Sequence, residues 1–220
     1  MTLATIFFIF FLLALETLRS QALAAAATTP TDTDSDAVPI AISDSGATAL
    51  AQAALARTEL RVRYDGSYQI LSYPFGDVAA DVGVCTDLVI RAFRTLAVDL
   101  QQLVHEDMRD HFDAYPDHWG LDRPDPNIDH RRVPNLERFF QRHGQSLATT
   151  RDAELYEPGD IMTWRLNGSL PHIGIVSHRQ AVGSERPLII HNIGSGPEEE
   201  DVLFAYPIHG HYRYRVAERR

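Results

Sequence analysis

A chain of 220 residues with 45% hydrophobic and 23% charged residues can bury a core of its own, and disorder of the whole chain is excluded. Asp and Glu (30) outnumber Lys and Arg (20), and the formal net charge of -10 repels a DNA or RNA backbone, so we expect no nucleic-acid partner. With one cysteine, Cys85, no internal disulfide can form, and a lone thiol is either reactive or deeply buried.

Thr5 to Leu15 form an apolar run, followed by small residues through Ala27. This is the pattern of a secretory signal with cleavage near Ala22 to Ala26, and the run is shorter than the roughly 20 apolar residues a membrane span needs. We expect residues 1–26 to be a signal peptide, the mature protein to be exported (periplasmic or secreted), and no stable membrane insertion after cleavage. Because no Lys or Arg precedes the run, an uncleaved anchor is the alternative. Residues 27–45, rich in Thr, Asp, Ser and Ala, read as a flexible linker, and residues 46–216 as one domain.

Ser43 to Ser45 can cap an Ala- and Leu-rich helix over about Thr48 to Leu60. Ser67 to Tyr73 reads as an extended piece ending in a turn at Pro74-Phe75-Gly76-Asp77. Gly83 then lets the backbone turn, and Leu88, Val89, Ala92, Phe93 and Leu96 recur at helical spacing, so Cys85 stands in the first turn of a helix with one buried side. First-turn amides favour a thiolate, although most free cysteines are simply small buried hydrophobes. A second helix covers Val98 to Phe112, and a third runs from Pro134 to Gly144. Between them lies a long polar loop, Asp122 to Arg132. Loops of that length in a compact domain are often functional.

The last third changes period. Asp160 to Trp164, Ile173 to Ser177 and Leu188 to Asn192 read as strands, with Asp201 to Tyr206 and Tyr212 to Val216 as further candidates. Helices followed by an antiparallel sheet make an α+β pattern. A thiol nucleophile needs a base and a group to orient that base. His172 opens one strand and His191 ends another, so both can face the cysteine helix if the strands are neighbours. Asn192, on the opposite sheet face from His191, is the rival for the orienting role.

Pro158-Gly159-Asp160-Ile161 followed by Pro171-His172-Ile173-Gly174-Ile175 resembles the P-G-D-L and H-V-G-I signatures of NlpC/p60-type cysteine peptidases, and Cys85-Thr86-Asp87-Leu88-Val89 is similar to their C-S-G-L-V. Gly83 to Asp87, His105 to Met108, Asn127 to Arg132 and His191 to Gly194 together resemble the YijF-like exported domains of that superfamily. The resemblance implies a papain-like fold, with N-terminal helices packed on a C-terminal antiparallel sheet. It also implies a thiol hydrolase acting on amide bonds, in many relatives those of peptidoglycan peptides, with Cys85, His172 and His191 as nucleophile, base and orienting residue. Tyr73 lies where the family places a tyrosine upstream of the cysteine. Asp87 replaces the family's glycine and would oppose thiolate formation if it faced inward unpaired, so a partner such as Arg131 or Arg132 is expected. Asn127, Asp129, His130, Arg131, Arg132 and Asn192 are further candidates for substrate contact, with a structural role also open to His130 and the arginines.

No cofactor is expected. Asp125-x-Asn127-x-Asp129 begins like a calcium loop, but His130 stands where glycine is needed and Leu136 where the bidentate Glu should be, so no metal is expected either. The partner is a peptide or peptidoglycan-like substrate, and the protein is expected to be a monomer. Two other activities use the same fold: a non-catalytic cell-envelope binding module, or an acyltransferase built on the same triad.

Overall fold

The computed structural model describes residues 44–215. The expected signal peptide, and all but the end of the expected linker, lie outside the described residues. Helix α1 (Asp44–Leu55) opens the domain and runs into a 3-10 turn, Ala56–Glu59. Two short strands, β1 (Arg63–Tyr64) and β2 (Val82–Gly83), pair in parallel. Helix α2 (Cys85–Thr95) follows β2 with one intervening residue. Helix α3 (Leu100–Asp110) begins at an N-cap Asp99, whose carboxylate accepts from the Gln101 amide. Helix α4 (Val133–His143) has Pro134 in its first turn and Gly144 at its end, as the proline and glycine predict.

Six strands make one antiparallel sheet: β3 (Gln145–Ser146), β4 (Ile161–Leu166), β5 (Leu170–Gln180), β6 (Pro187–Asn192), β7 (Pro197–Glu200) and β8 (Ile208–Arg213). Their order is β3-β8-β4-β5-β6-β7. The expected α+β arrangement, helices first and an antiparallel sheet afterwards, is the one observed.

Strand alternation gives the sheet two apolar faces. Ile161, Ile173, Ile175 and Ile190 join Leu50, Cys85, Val89, Phe93, Leu136 and Phe140 in the core under the helices. Met162, Trp164, Val176 and Ile189 form a second cluster with Tyr156 and Leu203. That second cluster explains why Asp201 to Tyr206 is not the strand its composition predicts. The chain turns there instead, the Ala205 amide donating to the Val202 carbonyl, which buries Leu203 and lets its carbonyl accept from the Trp164 indole at 3.1 Å. The strand at this station is the acidic run Pro197–Glu200, paired with β6.

Candidate active site

Cys85 is the first residue of α2, 5% exposed, at the point where β2 hands the chain to the helix. Gly83 there is extended strand and not the expected turn. It is small because the Cβ of Asp87 would stand 3.0 Å from any side chain placed on it. The Asp87 carboxylate accepts from the Val84 amide at 2.7 Å and so fixes the backbone just before the cysteine.

Asp87 faces inward and is paired. Arg131 grips it with two bonds, Nε to Oδ1 at 2.8 Å and Nη2 to Oδ2 at 3.0 Å. The two side chains are 2% and 3% exposed. Arg131 also donates to the Ser67 carbonyl at 3.3 Å, and its own carbonyl accepts from the Thr86 hydroxyl at 3.1 Å. One side chain from the long loop therefore ties the start of α2 to the segment after β1. That segment directly follows Tyr64, the last residue of β1.

The Tyr64 hydroxyl hydrogen-bonds the Cys85 thiol, and the backbone N–H of Ile173 donates to the same sulfur. Burial pushes the thiol up to about 11, against the opposing pull of the Ile173 amide and the Tyr64 hydroxyl. In the resting protein the sulfur is a neutral thiol faced by three donors, the Ile173 amide, the Tyr64 hydroxyl and the Thr86 amide.

His172, the residue before Ile173, is buried beside Trp164, with ring centroids 5.9 Å apart, and its Nε2 lies 3.0 Å from His191 Nδ1. Burial, and then the neighbouring His191, hold the His172 imidazolium down near 3, so the ring is neutral. Burial lowers His191 as well, and the carboxylate of Glu200 opposes that effect. The two histidines do not lie on the helix-covered sheet face, as expected from neighbouring strands. They alternate with Ile173 and Ile190 and so share the Trp164 side, while the sulfur meets β5 at its margin through the Ile173 amide. Gly174 stands opposite His191 in the strand pair, and a Cβ there would lie 3.1 Å from the His191 Cβ and 2.9 Å from the Ile190 carbonyl. The glycine of the His-Ile-Gly-Ile motif makes room for the second histidine.

The remaining expected site residues fall in several places. Asn192 sits on the helix side, its amide 3.5 Å from the Gly83 carbonyl, so it braces the approach to Cys85. Tyr73 is not beside the sulfur: it packs edge-on against His105 at 5.0 Å, and Tyr64 holds the position expected of it. Apart from His130, whose buried Nδ1 has no hydrogen-bond partner among the described residues, the loop residues expected at the substrate are engaged within the protein. The Asn127 amide oxygen accepts from the Leu71 amide and its nitrogen donates to Asp125. Asp129 accepts from the Asp125 amide and from Arg132. His130 is buried, and Arg132 lies over the Trp119 ring at 4.0 Å. These groups build the loop because a segment this polar can be buried only with its hydrogen bonds made internally. Among the described residues no group of three or more His, Cys, Asp or Glu is placed to hold a metal ion, and no helix is long and apolar enough to cross a membrane.

Two residues of the site escaped the sequence reading. Tyr64 sits in a two-residue strand whose only trace is the alternation Arg61-Val62-Arg63-Tyr64. Glu200, 3.0 Å from His191 Nε2, belongs to an acidic run that reads as solvated surface.

The Escherichia coli (strain K12) protein "Uncharacterized protein YijF" is 56% identical over 153 residues, 70% of this chain and 74% of that one. Among solved structures, NlpC1 from Trichomonas vaginalis is 19% identical, with a TM-score of 0.42 over 76% of this chain and 44% of that one. NlpC2 from the same organism is 20% identical, with a TM-score of 0.39 over 78% of this chain and 48% of that one. The chain spans under half the length of either structure. Residues 51–214 match the family model described as "Domain of unknown function (DUF1287)", and the chain belongs to that family.

Proposed function

We propose that this protein is an exported, monomeric thiol hydrolase that cleaves amide bonds of peptide or peptidoglycan-like substrates, with Cys85 as nucleophile, His172 as base and His191 as its orienting residue. The observation that carries the reading is the convergence on one sulfur. Cys85 begins a helix and receives the Tyr64 hydroxyl and the Ile173 amide, and Ile173 directly follows His172 in β5, a histidine that is itself bonded to a second histidine.

In the proposed reaction His172 takes the thiol proton as the sulfur attacks the carbonyl carbon, and the Cys85 backbone N–H helps hold the oxyanion. The tetrahedral species collapses with loss of the amine, which takes the proton from His172 and leaves a thioester on Cys85. His172 then deprotonates a water molecule, whose oxygen attacks the thioester, releasing the acid and restoring the thiol. One oxyanion donor is worth roughly 3 kcal/mol of barrier, and a general base roughly 100- to 10,000-fold in rate. Because burial holds the resting thiol near 11, proton removal is tied to His172 and does not occur in advance.

The same burial favours a second reading, a non-catalytic binding module whose thiol is inert. A digest of purified cell-wall peptides by wild type and Cys85→Ala, read by mass spectrometry, separates the two. Cleavage products from wild type alone are expected for the enzyme, and their absence from both digests would reject hydrolysis of these substrates.

A further inference from the structure

Strands β6 and β7 place His191 directly opposite Glu198, with Glu200 two residues further on and on the same sheet face. Glu200 Oε2 lies 3.0 Å from His191 Nε2, and its side chain is 42% exposed at the rim of the sheet. The approach is off the line of a regular hydrogen bond, and no other group completes one to this buried nitrogen. On its other side His191 meets His172, Nδ1 to Nε2 at 3.0 Å.

We infer that Glu200 is a positioning residue that sets the tautomers of both histidines and leaves His172 with the ring nitrogen bare that must accept the cysteine proton. The inference rests on the proposed cysteine chemistry. A neutral imidazole carries one ring hydrogen, and the partner of one nitrogen decides which of the two holds it. The Glu200 carboxylate can only accept, so it draws the His191 hydrogen to Nε2. His191 Nδ1 is then bare and accepts from His172 Nε2–H. His172 Nδ1 is left bare in turn, and a general base needs such a nitrogen. With a donor in place of Glu200 the chain reverses. His191 would carry its hydrogen on Nδ1, His172 Nε2 would accept it, and His172 Nδ1 would already be protonated. Three groups face His191: His172 from β5, and Glu198 and Glu200 from β7. Both carboxylates favour a charged His191, but Glu200 is the one at contact distance.

The test compares Glu200→Gln, which keeps an oxygen acceptor, with Glu200→Lys, which offers only donors, and with Glu198→Gln as a control. Ring ¹⁵N shifts report the tautomers without reference to activity. Wild type, Glu200→Gln and Glu198→Gln are expected to carry the hydrogen on Nε2 of both histidines. Glu200→Lys is expected to move both to Nδ1, with an unchanged melting temperature and a fall in kcat of about 100- to 10,000-fold, the range of a lost general base. Wild-type His191 protonated at Nδ1, or unchanged tautomers in folded Glu200→Lys, would overturn the inference. These outcomes are distinct from failure of the proposed function: a tautomer switch without any hydrolysis by wild type upholds the role of Glu200 and rejects the reaction, whereas hydrolysis that is unaltered in Glu200→Lys rejects the role alone.

Discussion

Replacing Arg131 with methionine tests how the start of the cysteine helix is held. The substitution keeps an unbranched apolar side chain of similar length but leaves Asp87, 3% exposed, with a buried charge and no cation. Breaking a buried pair by removing one partner costs about 3–5 kcal/mol, mostly the desolvated charge left behind. At about 2–4 °C per kcal/mol for a domain of this size, the melting temperature should fall by about 6–20 °C. Asp87→Asn with Arg131→Met removes the orphaned charge and keeps an oxygen for the Val84 amide, so the double variant should recover much of the loss. Thermal melts followed by circular dichroism on the four proteins complete the cycle. If Arg131→Met melts within 2 °C of wild type, or if the double variant is no better than the single, the pair does not hold the helix start as argued.

Two further outcomes concern pH and stability. Burial keeps His130 and His172 neutral in the folded state, each held near 3, while the unfolded chain protonates them at about 6.5. Their folded pKa values are depressed, so the unfolded state binds more protons as pH falls from about 6.5 towards 3. Stability should drop by up to about 1.4 kcal/mol per pH unit for each histidine, and urea midpoints for His130→Gln between pH 7 and 4 should show a shallower slope. Asp107 acts in the same direction over a lower pH window: burial raises it, but Arg142 at 2.7 Å and the Tyr115 hydroxyl pull it down to about 2. Its contribution is complete above about 3.9 and disappears as pH falls towards 2, so Asp107→Asn should be destabilised at pH 7 yet lose less on acidification than wild type.

Much of the framework is legible in the chain because period and punctuation agree. The apolar spacing of Leu88, Val89, Ala92 and Phe93 defines α2, Pro134 and Gly144 bound α4, and the runs at Ile161, Ile173 and Ile190 become central strands. The pairing of Asp87 with an arginine of the long loop also follows from electrostatics, since an unpaired acid one turn from a thiol is costly. What could not be read is set by tertiary contacts. Tyr64 reaches the sulfur only because β1 pairs in parallel with β2, and two-residue strands leave almost no periodic trace. Tyr73 has the better local context, yet its turn carries it to α3 and His105. Alternation within a strand says that His172 and Ile173 point to opposite faces but not which face the helices cover. The acidic stretch Glu198 to Glu200 reads as solvated because its partner strand lies elsewhere in the sequence. Only the β6–β7 register brings Glu200 to His191.

The central claim is that Cys85 forms a covalent bond to substrate. Rapid acid quenching of wild type with cell-wall peptides, followed by peptide mapping, tests it most directly. The account predicts an acyl adduct on the peptide containing Cys85, absent in Cys85→Ala, together with loss of turnover in that variant. Turnover by Cys85→Ala equal to wild type, with no adduct on Cys85, would contradict it.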